Sequence, residues 1–289
     1  MRPVRRMMDY LRAGTRERGT PVTPASPRLP PVDLAMIGAE HADTSLLFGR
    51  LAAHPAFHTH RTEQMTYFAN PGEHARGYAH AFRHHYGAAR GDTVLVARCD
   101  TMLDVPASLD RLAGHNAAAH VVVMLRHPVE RAWAAYWHAR RTGREPLPRF
   151  EMAIAAEELG HGDRRYLGRG KYSRQLAHLF ARFPARRIHV FIAEDAAADP
   201  DGACERLCSV FEAGAPVRAC DQAYGAEPAG KTLYATLRRA FAHLIRRGGS
   251  PPLIPEMVGP LRRRLVAYFE PYNQELEHML GRNLHAWRR

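Results

Sequence analysis

Lysine is almost absent from this chain. Only Lys171 and Lys231 are lysines among 41 basic residues, and the rest are arginines. Against 29 acidic residues, this gives a formal net charge of +12. Arginine binds phosphate and sulfate through two parallel hydrogen bonds and keeps its charge at any physiological pH. The composition therefore favours anionic partners such as nucleotides or polyanions, while a general genomic preference for arginine is the alternative explanation.

Cysteine and long apolar runs are also scarce. Four cysteines in 289 residues do not suggest a disulfide framework. Cys204 and Cys208 lie four residues apart on a predicted helix, where packed thiols are the expected state. No run approaches the roughly 18 uncharged apolar residues of a membrane-spanning helix. The apolar share of 46% excludes collagen-like, low-complexity and wholly disordered chains.

The first 31 residues form a separate basic arm. They contain seven arginines and two carboxylates, and five prolines lie between Thr20 and Pro31. This composition predicts a mostly disordered segment over 1–31, followed by one folded domain over 32–289. The arm lacks the apolar stretch of a secretory signal, so the cytoplasm is the expected location.

Short apolar runs separated by helical patterns fill the folded part. Runs without polar alternation predict buried strands at 32–38, 93–97, 120–125 and 187–193. Helical spacing predicts helices at 44–53, 78–86, 106–112, 128–141, 148–159, 172–183, 200–212, 233–247 and 257–281. Apolar strands that alternate with helices indicate a parallel sheet covered on both faces. The expected fold is therefore three-layer α/β/α with a central parallel sheet.

The loop after the first strand is one expected ligand site, because open parallel sheets bind ligands at the carboxyl ends of their strands. It reads Gly38-Ala-Glu-His-Ala-Asp-Thr-Ser45 and leads into a helix. Its backbone N–H groups, with the hydroxyls of Thr44 and Ser45, suit a phosphate. Helix capping by Asp43 or Thr44 is the purely structural alternative.

The segment after the third predicted strand is the other expected ligand site. It reads Arg126-His-Pro-Val-Glu-Arg131, and Pro128 begins the next helix. An arginine directly after a buried strand stands at the mouth of the sheet, where it can bind a phosphate. The alternative is that Arg126 and Arg131 are both solvated.

The order and content of these segments resemble sulfotransferases that use 3′-phosphoadenosine 5′-phosphosulfate (PAPS). In that family a Lys-x-Gly-Thr-Thr loop follows the first strand, and the next helix ends in His-Pro. Here the loop reads His41-Ala-Asp-Thr-Ser45, and His54-Pro55 closes the helix. The family's Lys-Glu and Tyr-Phe pairs correspond to Thr62-Glu63 and Tyr67-Phe68. Its segment Arg-x-Pro-x-x-Arg-Ala-aromatic-Ser corresponds to Arg126-His-Pro-Val-Glu-Arg-Ala-Trp-Ala134.

The resemblance continues to the end of the chain. Gly170-Lys-Tyr172, Phe191-Ile-Ala-Glu-Asp195 and Pro271-Tyr-Asn273 with Trp287 resemble the family's later segments. Each motif is short, and their common order carries the resemblance. It covers about residues 33–289 and implies a P-loop NTPase-like sulfotransferase fold.

The resemblance also implies an activity. A sulfuryl group would pass from PAPS, in line and without a metal, to a hydroxyl or amine of a small-molecule or glycan acceptor. The product is 3′,5′-adenosine bisphosphate (PAP). Implied donor contacts are Ala42, Asp43, Thr44, Ser45, Arg126, Ala134 and Lys231. Glu63 is implied as the acceptor base and His41 as the residue at the lysine position, with acceptor contacts from His60, Tyr67 and Phe68.

Three positions depart from the family pattern. His41 replaces the lysine, and an imidazole is only partly charged near pH 7. Asp43 replaces a glycine and brings negative charge to an anion site, which costs about 1–3 kcal/mol at partly exposed distances. Ala134 replaces a serine and removes a phosphate donor worth about 1 kcal/mol. A second hypothesis therefore stays open: a sulfotransferase-fold protein with altered or lost activity.

Two other interpretations have less support. His80 and His84 share a helix face at the spacing of a metal pair, but no third ligand stands at a usual spacing. Surface histidines are the simpler interpretation, and no metal is expected. A polyanion binder is the third hypothesis and rests only on the net charge and the basic arm. No nucleic-acid-binding motif is present, so nucleic acid is not an expected partner.

Overall fold

The structure is a computed structural model that describes residues 29–88, 93–211, 257 and 259–289. Lys231 and the helix predicted over 233–247 lie outside these residues, as does all but the end of the predicted arm. The strands described are β1 (Leu34–Met36), β2 (Phe57–Thr59), β3 (Val94–Arg98), β4 (His120–Leu125) and β5 (Ile188–Ile192). They form one parallel sheet in the order β2-β3-β1-β4-β5, which confirms the expected sheet and adds β2 to it.

Helices cover both faces of the sheet, as expected for three layers. Within the described ranges they are α1 (Thr44–Ala53), α2 (Pro71–Ala75), α3 (Tyr78–His85), α4 (Pro106–His115), α5 (Pro128–Arg141), α6 (Phe150–Glu158), α7 (Tyr172–Phe180), α8 (Ala193–Ala198), α9 (Pro200–Val210) and α10 (Gly259–Leu280). None of these described helices is both long enough and apolar enough to cross a bilayer.

The strand order reverses at β1, which lies at the centre of the sheet. Leu34 of β1 is opposite Val96 of β3 on one side and His120 of β4 on the other. The chain leaves β1 towards β2 and later crosses over to β4, so the loops after β1 and β4 are neighbours. The N–H of Ala39 donates to the carbonyl of Met124 at 2.6 Å. A crevice at such a switch point is the usual ligand site of an open α/β sheet.

Two apolar clusters hold the fold together. The larger surrounds the sheet and includes the fully buried strand residues Leu34 and Val123. The second joins α5, α6 and α10 through Tyr136, Phe150 and Phe269. The second cluster therefore holds α5, the helix that follows β4, against α6 and α10.

Candidate active site

The loop between β1 and α1 has an unusual backbone. His41 and Asp43 adopt φ values of 64° and 55°, in the left-handed region. Few residues other than glycine adopt this region, and histidine and aspartate are enriched among the exceptions. Asp43 can therefore stand where the family has glycine. Its side chain forms no capping hydrogen bond to α1, so it does not act as the helix cap considered above.

Asp100, just after β3, joins two loops. Its Oδ1 accepts a hydrogen bond from the hydroxyl of Thr44 at 2.7 Å. Its Oδ2 accepts from Nε2 of Gln64 at 2.8 Å, and its N–H donates to Oε1 of the same side chain at 2.7 Å. We call Thr44, Gln64 and Asp100 the Asp100 clamp. It fastens the first turn of α1 to the loop that carries Glu63.

The clamp changes what the start of α1 can offer a phosphate. Thr44 is buried and its hydroxyl is committed to Asp100, so a hydroxyl contact is available only from the exposed Ser45. Across the described ranges, the backbone N–H groups of Thr44 and Ser45 meet no hydrogen-bond acceptor. A helix N-terminus with free N–H groups favours an anion.

Arg126 lies at the end of β4 and points at the loop after β1. Its Nη1 donates to the carbonyl of His41 at 3.2 Å and lies 3.6 Å from Oδ2 of Asp43. The hydroxyl of Tyr172 donates to the carbonyl of Arg126 at 2.9 Å. The guanidinium expected to bind phosphate is thus at the strand end, as predicted, but Asp43 already neutralises part of its charge.

Arg131, on the first turn of α5, is fully buried. Its Nη2 donates to the carbonyl of Tyr166. Its Nε and Nη1 have no hydrogen-bond partner in the part of the chain that the structure describes. Burial lowers the pKa of Arg131, yet a guanidinium stays protonated at neutral pH. A buried cation with unused donors is costly unless an anion lies nearby.

A third arginine reaches the same loop from the turn before α7. Arg169 forms an ion pair with Glu40, and its Nε lies 3.0 Å from Oδ2 of Asp104. Arg165 binds the other oxygen of Asp104 at 3.0 Å. The loop after β1 is therefore contacted by Arg126 from the end of β4 and by Arg169 from the turn before α7, and the charge of Arg131 on α5 also acts on it.

The nearby positive charges affect the ionisation of the His41 imidazole. The ring is half-buried, with Nε2 3.7 Å from Oε1 of Glu40. Burial lowers its pKa to about 3, aided by the neighbouring imidazole of His138 and by the positive charges of Arg131, Arg169 and Arg126. His41 is therefore neutral at pH 7, which corrects the expectation of a partly charged ring. The positive potential at this loop comes from arginine.

Glu63, the expected base, is exposed on the loop after β2. Its carbonyl accepts from Nη2 of Arg98 at 2.7 Å. The hydroxyl of Thr62 lies 2.6 Å from Nδ1 of His85, whose Nε2 lies 2.5 Å from Oε1 of Glu73. These bonds fix the backbone on either side of Glu63 while its carboxylate, in the described part of the chain, has no hydrogen-bond donor. A free carboxylate on a fixed loop suits a base.

The residues expected to line the acceptor pocket lie in the core. His60, Tyr67 and Phe68 have exposures of 4%, 6% and 0%. Nε2 of His60 accepts from the N–H of Arg98 at 3.0 Å, and the ring of Phe68 packs 5.3 Å from that of His115. The three rings are thus packed into the core, and their contact with an acceptor stays a prediction.

The structure also places the other residues that were singled out from the sequence. Ala42 is buried, and its N–H donates to the carbonyl of Ala39 at 3.2 Å. Ala134 is half-buried on α5. The rings of His80 and His84 stack at 6.5 Å. Among the residues described, no group of three or more His, Cys, Asp or Glu side chains is arranged to hold a metal.

Sequence reasoning missed Asp100, Arg169 and His138. Asp100 lies three residues after the strand predicted at 93–97, so the rule that selected Arg126 could have selected it only if the search had extended beyond the first residue after the strand. Arg169 lies in a turn with no apolar pattern. The ring of His138, on α5, is 5.1 Å from that of His41, and only the folded chain brings these two distant residues together.

A second concave surface lies on α10, with a volume of about 460 Å³. Its lining residues are Arg262, Arg263, Val266, Ala267, Glu270, Arg288 and Arg289. None belongs to the loops after β1 or β4. Arg262 pairs with Glu130, and Arg288 lies 3.0 Å from Glu270. These carboxylates neutralise part of the positive charge of the concave surface. The candidate active site is therefore the cluster at the strand ends.

Solved sulfotransferase structures resemble this chain. A sulfotransferase from Alicyclobacillus acidocaldarius has a TM-score of 0.69 and 24% identity, with 90% of this chain and 100% of that one covered. The sulfotransferase domain from the curacin biosynthetic pathway has a TM-score of 0.51 and 13% identity, covering 89% and 99%. No protein-family model and no curated protein matches the chain. The architecture is therefore that of the sulfotransferases, a three-layer α/β/α fold of the P-loop NTPase-like type.

Proposed function

We propose that this protein is a PAPS-dependent sulfotransferase of the cytoplasm that acts on a hydroxyl or amine of a small-molecule or glycan acceptor. One observation carries the proposal. Arg126 contacts His41 and Asp43 in the loop after β1, Arg169 pairs with Glu40 of the same loop, and the buried charge of Arg131 acts on His41. A positive potential at the switch point of a sheet with the sulfotransferase architecture suits an anionic nucleotide.

The residues of the site fit such a donor. Arg131 has buried N–H groups without a partner in the described residues, and the first turn of α1 has free backbone N–H groups. Both are donors suited to the oxygens of a phosphate or sulfate. Asp43 opposes the fit, because a phosphate at Arg126 has to displace its carboxylate.

The chemistry follows from these positions. When bound, PAPS supplies a sulfuryl group whose sulfur bonds to the acceptor oxygen or nitrogen as its bond to the bridging phosphate oxygen breaks. Glu63 accepts the proton that the acceptor loses. The arginines stabilise the negative charge that collects on the leaving nucleotide. No side chain of the protein forms a covalent bond in this scheme, so catalysis is positioning and charge stabilisation.

Calorimetric titration with PAP tests the proposal. We expect micromolar binding, weakened about tenfold or more by Arg126→Ala, because a lost charged hydrogen bond has this magnitude. Arg50→Ala is the matched control, since Arg50 on α1 pairs with Asp201 at 2.9 Å, outside the site residues. Absence of binding at millimolar PAP, or equal binding by the Arg126→Ala variant, would contradict the proposal.

A second candidate function is supported by Asp43 and the neutral His41. A protein of this fold that binds a different anion, without sulfuryl transfer, would tolerate both departures. The two candidates differ in turnover. Release of PAP from PAPS in the presence of a hydroxyl or amine acceptor supports the transferase, whereas binding of other anions without PAP binding supports the second candidate.

A further inference from the structure

His138 is the one imidazole in direct ring contact with His41 among the described residues. It lies on α5, about two turns after Arg131 and on the same face of the helix. The ring centroids are 5.1 Å apart and the planes are inclined at 51°. Like His41, His138 is half-buried, and the described chain offers its ring nitrogens no hydrogen-bond partner. The contact leaves N–H and lone-pair positions available on both rings.

Charged groups surround this pair from several elements. Those that act on His138 are Arg144 and Arg141, which lower its pKa, and Glu40 and Glu63, which raise it. Those that act on His41 are Arg131, Arg169 and Arg126, together with the nearby Glu40. Burial is the largest influence on both rings and lowers both pKa values. At pH 7 the two imidazoles are therefore neutral within a mainly basic environment.

The neighbours of His138 belong to opposite sides of the proposed reaction. His41 stands at the donor loop, whereas Glu63 is the proposed acceptor base. In an in-line displacement the transferred group lies between the leaving atom and the attacking atom. A side chain that adjoins His41 and lies within the electrostatic reach of Glu63 therefore borders the position of the sulfuryl group.

We propose that His41 and His138 form an imidazole pair that binds the oxygens of the sulfuryl group through ring N–H donors. The pair replaces the lysine that PAPS-dependent sulfotransferases, which this sequence resembles, have at the position of His41. This inference rests on the proposed function and names the residues that recognise the transferred group. Because an adjacent anion favours the protonated ring, a bound sulfuryl group raises the pKa of the imidazoles.

Comparison of PAPS with PAP isolates the sulfuryl group. We expect His138→Phe, which keeps a ring but has no N–H donor, to weaken PAPS binding about tenfold, measured by calorimetry without acceptor, because one hydrogen bond to an anion is lost. PAP binding should change by less than about threefold. His161→Phe, at an exposed position outside the site, is the matched control and should change neither affinity.

The ionisation of the two rings gives a second readout. Proton NMR titration should show that PAPS, but not PAP, raises the pKa of the His138 imidazole. Thermal unfolding verifies that the variant is folded, and His138→Leu replaces it if it is not. Equal weakening of PAPS and PAP, or unchanged PAPS affinity, would assign His138 a structural role and overturn the inference. If wild-type protein binds neither nucleotide, the proposed function fails first, and the inference falls with it.

Discussion

At the scale of single residues, Asp43 combines a glycine-like backbone with a charge that competes for Arg126. Asp43→Asn keeps a residue that tolerates left-handed φ and frees the arginine. We expect PAP affinity to rise about fivefold, as removal of one exposed charge near the ligand allows. Calorimetry measures it, with Asp201→Asn as the control carboxylate paired to Arg50. Weaker PAP binding by the Asp43→Asn variant would show that this carboxylate assists the ligand.

Arg131 offers a second prediction at this scale. Its replacement by methionine removes a buried charge whose Nε and Nη1 are unused among the described residues. Because such replacements are often neutral or stabilising, we expect the free energy of unfolding in urea to stay equal or rise by about 1–3 kcal/mol. PAP affinity should fall. Arg140→Met is the control on α5, since Arg140 binds the carbonyl of Glu145 at 2.8 Å. A large loss of stability in the Arg131→Met variant would contradict this account.

At the scale of elements, the Asp100 clamp joins the start of α1 to the loop after β2. Gln64→Glu removes the donor to Asp100 and places two carboxylates together. We expect a loss of about 1–3 kcal/mol in the free energy of unfolding, since a half-buried hydrogen bond is replaced by repulsion between two carboxylates. Gln274→Glu is the matched control, because Gln274 donates to Glu270 at 2.9 Å on an exposed face. Equal effects of the two changes would mean that the clamp adds nothing beyond a surface contact.

The elements also show which features the sequence could predict. Apolar runs of five or six residues predicted β3 and β4, and helical spacing predicted α5 with its observed bounds. β2 was missed because its three residues, Phe57–Thr59, are too few for a pattern and include a histidine. It pairs with β3 alone at the edge of the sheet, where apolar composition is less required.

The site, like the fold, was predictable from the sequence only where a local pattern encodes it. Arg126 followed from the rule about strand ends, which depends only on local order along the chain. The contact of His41 with His138 depends on how α5 packs across the sheet, and no local pattern encodes it. The burial of Phe68 was missed because the family motif specifies an aromatic residue but not the direction of its ring.

At the scale of the whole molecule, buried histidines make stability depend on pH. Burial lowers the pKa of His60 to about 3, and the pKa values of His115 and His120 are lowered to about 4. These histidines therefore bind more protons in the unfolded chain than in the folded chain below pH 6.5. The free energy of unfolding decreases as the pH is lowered. His60 alone contributes about 1.4 kcal/mol for each pH unit between 6.5 and its folded pKa.

This dependence is measurable by urea unfolding at pH 7 and pH 5. We expect the free energy of unfolding to fall by about 2 kcal/mol or more, because His60 protonates in the unfolded chain over this interval. An unchanged value at pH 5 would show that the histidines are accessible to protons in the folded state.

Under the proposed function, the Asp100 clamp also limits how the protein can change its acceptor. A single carboxylate holds both the loop that faces the donor and the loop that presents Glu63. Grafting the corresponding loop from a protein of the same fold would therefore have to transplant Gln64 together with the new surface. Diversification is expected to be easiest in the exposed positions between clamp residues, where a substitution changes the acceptor surface without disturbing donor geometry.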